Sequence, residues 1–154
     1  MISRLDGTTG TAQQQETGSD KYARRRFDVQ EEKDIDIDVL ETIPFEYPDS
    51  GTEVCYETEE FTSVCPWSGL PDFARLVIRY VPDLRLVELK SLKYYLTSYR
   101  NVGILQEHAV NRVLQDLVHL VQPVSMSVEG YFADRGGLRT KASVSYQRDN
   151  RLET

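Results

Sequence analysis

The chain has 154 residues, of which 40% are hydrophobic and 28% are charged, and its formal net charge is -7 at pH 7. This length predicts one globular domain with little room for a second core. The acidic excess argues against a general nucleic-acid-binding surface, because neutralising phosphates requires clustered lysines and arginines. No run of about 18 uninterrupted apolar residues occurs, and the first residues lack the apolar run of a secretory signal, so we expect a cytoplasmic protein.

The first 33 residues are the most polar part of the chain and contain almost no clusters of apolar side chains. Such a segment cannot bury enough surface to offset the entropy that it would lose on ordering. We therefore expect a disordered tail over residues 1–33 and a single folded domain over residues 34–154.

Two strands are predicted at the start of the domain. Apolar and polar residues alternate over 52–61, where one side is acidic, and again over 73–81, where the arginines lie on one side. The apolar face of the second segment consists of Ala74, Leu76, Ile78 and Tyr80. A loop from Cys65 to Pro71 separates the two segments, which we expect to pair as antiparallel strands.

Two helices follow these strands. From Leu89 to Arg100 the apolar residues recur every three or four positions, which indicates a helix with one buried face. A stronger apolar stripe runs from about Leu105 to Gln122, and Pro123 ends it.

A hairpin completes the pattern, because alternating residues over 124–132 and 138–146 flank an Asp-Arg-Gly-Gly turn. The order strand, strand, helix, helix, strand, strand predicts an α+β fold in which two helices cover one face of a four-stranded antiparallel sheet. Such a sheet leaves two open edges, which tend to pair with another copy of the chain. We therefore expect closure of the sheet by oligomerisation into a ring.

The loop between the first two strands holds the residues best suited to chemistry. It contains Cys65 and the only tryptophan, and Asp72 stands at its far end. A thiolate is a strong nucleophile, and a nearby acid could deliver a proton to the product. Cys65 and Asp72 are thus a candidate nucleophile and acid. The alternative, which the residues alone favour, is a small buried cysteine and a turn aspartate.

Disulfide and zinc roles for the cysteines have less support. Cys55 and Cys65 could form a disulfide, but an intracellular chain rarely uses one. Their separation also lacks the short Cys-x2-4-Cys spacing of a structural zinc site, and the only histidines, His108 and His119, fall on the second helix. We expect no metal.

Three polar residues near the start of the first helix form a second candidate site. Lys90 and Lys93 lie on one helical face with Ser91 between them in sequence, and lysines beside free helix N–H groups suit a phosphate. A solvated charged face is the alternative, and spacing alone favours it. The chain has no Gly-x-Gly-x-x-Gly, so any dinucleotide would bind outside a Rossmann crevice.

Glu107, in the first turn of the second helix, is a third candidate. A carboxylate accepts two donors at once, which suits the N–H edge of a guanine-like base. It could equally be an acid that the helix dipole favours, and spacing does not separate the two interpretations.

Two of these segments resemble motifs of the 7-cyano-7-deazaguanine reductases of queuosine biosynthesis. The segment Cys-Pro-Trp-Ser-Gly-Leu-Pro-Asp-Phe, residues 65–73, is similar to the family's nucleophile loop. The segment Glu-Leu-Lys-Ser-Leu-Lys-Tyr-Tyr, residues 88–95, is similar to its signature for NADPH use. The resemblance extends from about Thr52 to Tyr146 and covers the short, single-domain form of the family.

The resemblance implies a tunnelling fold whose subunits assemble into stacked rings with active sites between subunits. Cys65 would attack a nitrile carbon to give a covalent thioimide, two NADPH molecules would deliver hydrides in turn, and Asp72 would supply or shuttle protons. The product would be 7-aminomethyl-7-deazaguanine, with no direct nucleic-acid partner. The implied substrate contacts are Val87, Glu88, Leu89, Gln106 and Glu107, and the implied cofactor contacts are Lys90, Ser91 and Lys93.

The sequence departs from the family's pattern at two positions. Gln106 stands where relatives often have a histidine, which puts part of the substrate contact in doubt. Ala109 stands where some relatives carry a second cysteine that protects the nucleophile as a disulfide, which leaves either no protection or a role for Cys55.

Three rival functions remain on sequence grounds. A zinc cyclohydrolase of the same fold is disfavoured by the scarcity of histidine and cysteine. An amine-transferring relative that forms the same thioimide has no use for the NADPH motif. A silent purine-binding or pterin-binding ring protein would not need both Cys65 and Asp72.

Overall fold

The computed structural model describes residues 28–149. It contains two α-helices and six strands, together with short 3₁₀ turns at Glu32–Asp34 and Ser98–Asn101. The strands are β1 (Thr42–Pro44), β2 (Val54–Val64), β3 (Pro71–Val81), β4 (Arg85–Val87), β5 (Ser125–Phe132) and β6 (Lys141–Gln147), and the helices are α1 (Leu89–Thr97) and α2 (Gln106–Val121).

Four strands form one antiparallel sheet in the spatial order β2, β3, β5, β6. The predicted α+β fold with a four-stranded antiparallel sheet is therefore confirmed. Both predicted helices are present, although the first ends at Thr97 and continues only as the 3₁₀ turn. Within the described chain, no helix is both long and apolar enough to span a membrane.

The core lies between one face of the sheet and the two helices. The even-numbered residues of β3, from Ala74 to Tyr80, are all buried, as their alternation predicts. The apolar face of α2 packs against β5 and β6, and Leu92 and Tyr95 of α1 belong to the same core. Both helices thus cover one face of the sheet, because the apolar stripe of each helix has only that face to bury against.

A second, two-stranded sheet pairs β1 with β4 and was not predicted. Each of these strands has only three residues, which is too short for alternation to be recognised. The pairing places Val87 opposite Thr42 and leads the chain directly into α1.

A buried hydrogen-bond network connects the end of α1 with α2. The Tyr95 hydroxyl donates to the Asp116 carboxylate at 2.7 Å and lies 2.7 Å from the Tyr99 hydroxyl. Burial raises the pKa of both tyrosines, so they remain neutral donors. Arg112 completes the network through an ion pair with Asp116.

Residues 1–27 of the expected tail lie outside the described residues, whereas residues 28–33 lie within them. The N–H of Gln30 donates to the carbonyl of Asn101 at 2.8 Å, and the N–H of Gly103 donates to the carbonyl of Gln30 at 2.9 Å. The folded part of the chain therefore includes residues that precede the boundary expected at residue 33.

Candidate active site

Cys65 begins the six-residue loop, 65–70, that joins β2 to β3. Two backbone hydrogen bonds close this loop: Cys65 N–H donates to the Leu70 carbonyl at 2.9 Å, and Gly69 N–H donates to the Cys65 carbonyl at 2.8 Å. Gly69 has a φ of 68°, a left-handed conformation that favours glycine. The tight closure keeps the Cys65 side chain 8% exposed rather than free in solvent.

The environment of the Cys65 thiol favours its ionised form. The hydroxyl of Ser68 is the strongest influence, and the backbone N–H groups of Ser68 and Trp67 and the side chain of Arg135 act in the same direction. Together they outweigh desolvation and lower the pKa of Cys65 to about 7. A thiol with this pKa is about half ionised at pH 7, and the thiolate is the nucleophilic form.

Asp72 lies in the second position of β3 and is 4% exposed. Its Oδ1 accepts a hydrogen bond from Gln106 Nε2 at 3.1 Å and forms an ion pair with Arg135. Ser63, directly opposite Asp72 across the β2–β3 pair, is fully buried, and its hydroxyl has no hydrogen-bond partner among residues 28–149. The end of the β2–β3 hairpin thus holds a thiol, a carboxylate and a free hydroxyl.

The residues around the start of α1 form a separate group. The Glu88 carboxylate caps the helix by accepting from the N–H groups of Lys90 and Ser91, at 2.9 and 2.7 Å, and these bonds lower its pKa. The Ser91 hydroxyl donates to the Glu88 carbonyl and accepts from Glu41 N–H. Glu88 and Ser91 therefore use their side chains to fix the helix start.

A groove of about 600 Å³ lies between α1 and the sheet. Its wall includes Tyr56, Phe61 and Leu76 from the sheet and Glu88, Leu89, Lys90 and Lys93 from the helix region. The side chains of Leu89, Lys90 and Lys93 are exposed, whereas Val87 is buried in β4. The rim also includes the acidic residues Glu57 and Glu60, so it carries both signs of charge. The volume and the apolar floor are compatible with a nucleotide-sized ligand.

The single chain brings together only part of the residues assigned from the sequence. Cys65, Asp72 and Gln106 lie at one place, whereas the groove beside α1, lined only by residues within 28–149, includes neither Cys65 nor Asp72. Glu107 is exposed in the first turn of α2, next to Gln106. Sequence reasoning missed Arg135, because its only signal was a place in the Asp-Arg-Gly-Gly turn.

An intramolecular Cys55–Cys65 disulfide is excluded by the fold. The two residues are ten positions apart along extended β2, a span of about 33 Å, whereas a disulfide needs Cα atoms within about 7 Å. Both cysteines are free thiols, and Cys55 is exposed. No cluster of three or more histidine, cysteine or acidic side chains suited to a metal ion lies in residues 28–149.

Comparison with known proteins gives concordant matches. A family model described as "QueF-like protein" matches residues 71–151. The curated NADPH-dependent 7-cyano-7-deazaguanine reductase of Caldicellulosiruptor bescii is 64% identical over 130 residues, which are 84% of this chain and 99% of the relative. The enzyme of the same name from Thermoanaerobacter pseudethanolicus is 60% identical over 131 residues, covering 85% of this chain and 98% of the relative.

A solved structure supports the fold. The apo form of the archaeosine synthase QueF-Like superimposes with a TM-score of 0.58 and 24% identity, covering 63% of this chain and 95% of that chain. At this identity the likeness concerns the architecture alone.

Proposed function

Because this chain belongs to the QueF-like family that includes the NADPH-dependent 7-cyano-7-deazaguanine reductases, we propose that it reduces the nitrile of 7-cyano-7-deazaguanine to 7-aminomethyl-7-deazaguanine. The reaction would be a step of queuosine biosynthesis. The observation that carries the proposal is the buried Cys65 thiol, with its pKa lowered to about 7, at the same end of the hairpin as the buried Asp72 carboxylate.

Cys65 acts as the nucleophile in this proposal. Its sulfur bonds to the nitrile carbon, one π bond of the C≡N group breaks, and the nitrogen takes up a proton, which yields a thioimide. The covalent step has a chemical purpose, because the thioimide presents a C=N bond that accepts hydride more readily than the bare nitrile. Bound NADPH would supply the hydrides, one molecule for each of the two reductions. After the first hydride is added to the carbon, the C–S bond breaks, Cys65 leaves as the thiolate, and the resulting imine takes the second hydride and a proton.

Asp72 moves the protons in this proposal. Burial and a cross-strand position hold its carboxylate at the end of the hairpin that carries Cys65, and Gln106 fixes the orientation of one oxygen. The proton lost by the thiol passes to the carboxylate and then to the nitrile nitrogen. Gln106 and Glu107, adjacent at the start of α2, would hold the N–H edge of the deazaguanine base.

The start of α1 serves the cofactor and part of the substrate. Lys90 and Lys93 are exposed on the rim of the groove and would contact the cofactor's phosphates. Ser91 would act indirectly, since its hydroxyl is already engaged by Glu88 and Glu41. Val87, Glu88 and Leu89 would shape the substrate side of the groove, with the buried Val87 contributing through its place in β4.

We further propose that complete sites form between copies of the chain in stacked rings. Cys65 and Asp72 do not line the groove that carries the two lysines, so another copy would supply the missing half. Within the described residues, β2 and β6 each have one side without a strand partner in the four-stranded sheet. Pairing these edges between copies would extend the sheet into a ring.

Mass spectrometry of the intact protein with 7-cyano-7-deazaguanine tests the function. We expect an adduct of the ligand's mass on Cys65 that disappears as NADPH is oxidised, and no adduct on Cys65→Ala. Cys55→Ser serves as the matched control and should behave as the unmodified protein, because Cys55 is exposed on β2 about 33 Å along the strand from Cys65.

Two results would contradict the proposal in different ways. An adduct that forms while NADPH is never oxidised would indicate the amine-transferring chemistry. Absence of any adduct, with near-normal turnover of Cys65→Ala, would remove the covalent mechanism altogether.

A further inference from the structure

The backbone of Arg135 belongs to a tight turn between β5 and β6. Its N–H donates to the Leu138 carbonyl at 2.8 Å, and Leu138 N–H donates to the Arg135 carbonyl at 2.9 Å. The two residues between them, Gly136 and Gly137, have φ values of 55° and 79°, as a type I′ turn requires. The backbone of Arg135 is therefore fixed, and its long side chain leaves the turn from a defined position.

The guanidinium of Arg135 reaches the end of the β2–β3 hairpin. It forms an ion pair with Oδ1 of Asp72, the same oxygen that accepts from Gln106. Its side chain also helps to lower the pKa of the Cys65 thiol, although less than Ser68 and Trp67 do. Among the described residues, Arg135 is the only cationic side chain that forms a salt bridge with Asp72.

A buried carboxylate needs such a partner. Asp72 is 4% exposed, and burying a charge is costly unless that charge is paired and hydrogen-bonded. Gln106 contributes a single neutral donor, so it does not compensate the charge. The planar fork of an arginine can meet two acceptors at once, which a lysine does less well.

We propose that Arg135 is a positioning residue that holds the Asp72 carboxylate, from the β5–β6 turn, at the end of the β2–β3 hairpin that carries Cys65. The expected effect of Arg135 on turnover rests on the proposed function. Arg135 forms no covalent bond and transfers no proton, because a guanidinium stays protonated in proteins. Its guanidinium places a permanent positive charge beside the Asp72 carboxylate, which accepts the thiol proton in the proposed reaction.

Arg135→Gln and Arg139→Gln form a matched pair of variants for the test. Both arginines belong to the segment between β5 and β6, and each pairs with an aspartate, but the partner of Arg139 is the exposed Asp134, at 2.7 Å. The first readout is the rate of iodoacetamide alkylation of Cys65 as a function of pH, measured in a Cys55→Ser background. The groups that lower the pKa of this thiol are the hydroxyl and N–H of Ser68, the Trp67 N–H and Arg135, and Asp72 is the carboxylate paired with that arginine.

We expect Arg135→Gln to move the alkylation midpoint to higher pH and to lower kcat by on the order of 100-fold, the loss that a displacement of about 1 Å can cause. The KM for NADPH should stay constant, since the groove beside α1 does not include Arg135. Arg139→Gln should leave both quantities unchanged. Arg135→Lys should restore much of the midpoint, because the charge is kept, and less of kcat, because the fork is lost.

Loss of the arginine also leaves the Asp72 charge buried, so the variant could be less stable. The double variant Asp72→Asn/Arg135→Gln removes that charge and should unfold at a higher urea concentration than Arg135→Gln alone. An unchanged stability on adding Asp72→Asn would show that the two side chains are not coupled, and would overturn the proposal.

Equal alkylation midpoints for Arg135→Gln and Arg139→Gln would also overturn it. Alkylation is measured without nitrile or NADPH, so it reports on Arg135 even if the protein reduces no nitrile. Failure of the proposed function would appear separately, as an unmodified protein that forms no nitrile adduct while its thiol still responds to Arg135.

Discussion

Gly103 and Pro66 are in close contact beside Cys65: a Cβ added at Gly103 would lie 3.2 Å from the Cα of Pro66. The same Cβ would lie 2.5 Å from Cγ1 of Val29. Ile104 N–H donates to the Val64 carbonyl at 3.2 Å, so the chain around Gly103 runs against the residues on both sides of Cys65. The contact gives the loop of Cys65 a second support besides its own hydrogen bonds.

We expect Gly103→Ala to destabilise the protein by about 1–3 kcal/mol, as overpacking does, and to slow alkylation of Cys65. Val29 can rotate away because it is partly exposed, whereas the backbone of Pro66 must shift. Urea unfolding and the alkylation rate measure the two effects. Gly130→Ala is the control: its Cβ would lie 2.7 Å from Val110 and 2.8 Å from Phe132, so it should cost stability alone. Similar losses of Cys65 reactivity in both variants would contradict the conclusion that the contact at Gly103 supports the loop of Cys65.

The reactivity of Cys65 should depend on pH around neutrality. The thiol has a pKa lowered to about 7 from 9.0, so its thiolate fraction, and with it the alkylation rate, should rise as the pH increases through 7. The hydroxyl of Ser68 is the largest cause, so Ser68→Ala should move the midpoint to higher pH and do so more than Arg135→Gln. A midpoint near 9 in the unmodified protein would show that the loop does not activate the thiol.

Substitution of two buried serines by alanine should change stability to different extents. Ser91→Ala removes a hydroxyl that donates to the Glu88 carbonyl at 2.8 Å and accepts from Glu41 N–H at 3.0 Å, and should cost about 1–3 kcal/mol of unfolding free energy. Ser63→Ala removes a hydroxyl with no partner among residues 28–149 and should change stability by less than about 1 kcal/mol. Urea denaturation at one protein concentration compares them. A larger loss for Ser63→Ala would mean that its hydroxyl is hydrogen-bonded in solution.

Asp72→Asn should separate the covalent step from reduction. The thiol is activated mainly by Ser68, so the nitrile adduct should still form, whereas turnover should fall by roughly 100-fold to 10,000-fold because a proton carrier is lost. Intact mass and NADPH oxidation report the two steps. Asp83→Asn is the matched control, because Asp83 also pairs with an arginine, Arg148, at 2.8 Å but in a different part of the structure. The Asp83→Asn variant should retain turnover. Normal reduction by Asp72→Asn would exclude Asp72 from proton transfer.

Substitution of the lysines of α1 should weaken binding of the cofactor and leave formation of the nitrile adduct unchanged. Lys90→Gln and Lys93→Gln should each raise the KM for NADPH by roughly tenfold, the effect of losing one charge-assisted contact. The adduct should form at its usual rate, because both residues line the groove that does not include Cys65. Steady-state kinetics measure the change. Lys33→Gln, which removes an exposed lysine paired with Glu31, is the control. An unchanged KM in both helix variants would place the cofactor elsewhere.

The sequence by itself determined the local elements and predicted which loop holds the candidate nucleophile. The alternation of Ala74 to Tyr80 and the apolar stripe of α2 are periodic signals that each segment carries alone, so both could be recognised without knowledge of the partners. The motif at 65–73 also predicted roles for Cys65 and Asp72, because a resemblance depends on residue order, and those roles stay predictions. Helix and strand ends were less precise, since the last turn of a helix responds to its surroundings.

Only the tertiary structure decided which side chains meet. Arg135 and Gln106 are 63 and 34 positions from Asp72 in sequence, yet both contact its carboxylate, because antiparallel pairing brings the β5–β6 turn and the start of α2 to the end of the hairpin. The strands β1 and β4 exist through their mutual pairing, and three residues carry no periodic signal. Periodicity likewise carries no signal for the hydrogen bonds by which the side chains of Ser91 and Glu88 cap the start of a helix. Periodicity is a property of one segment, whereas contacts between distant segments depend on how all of them pack.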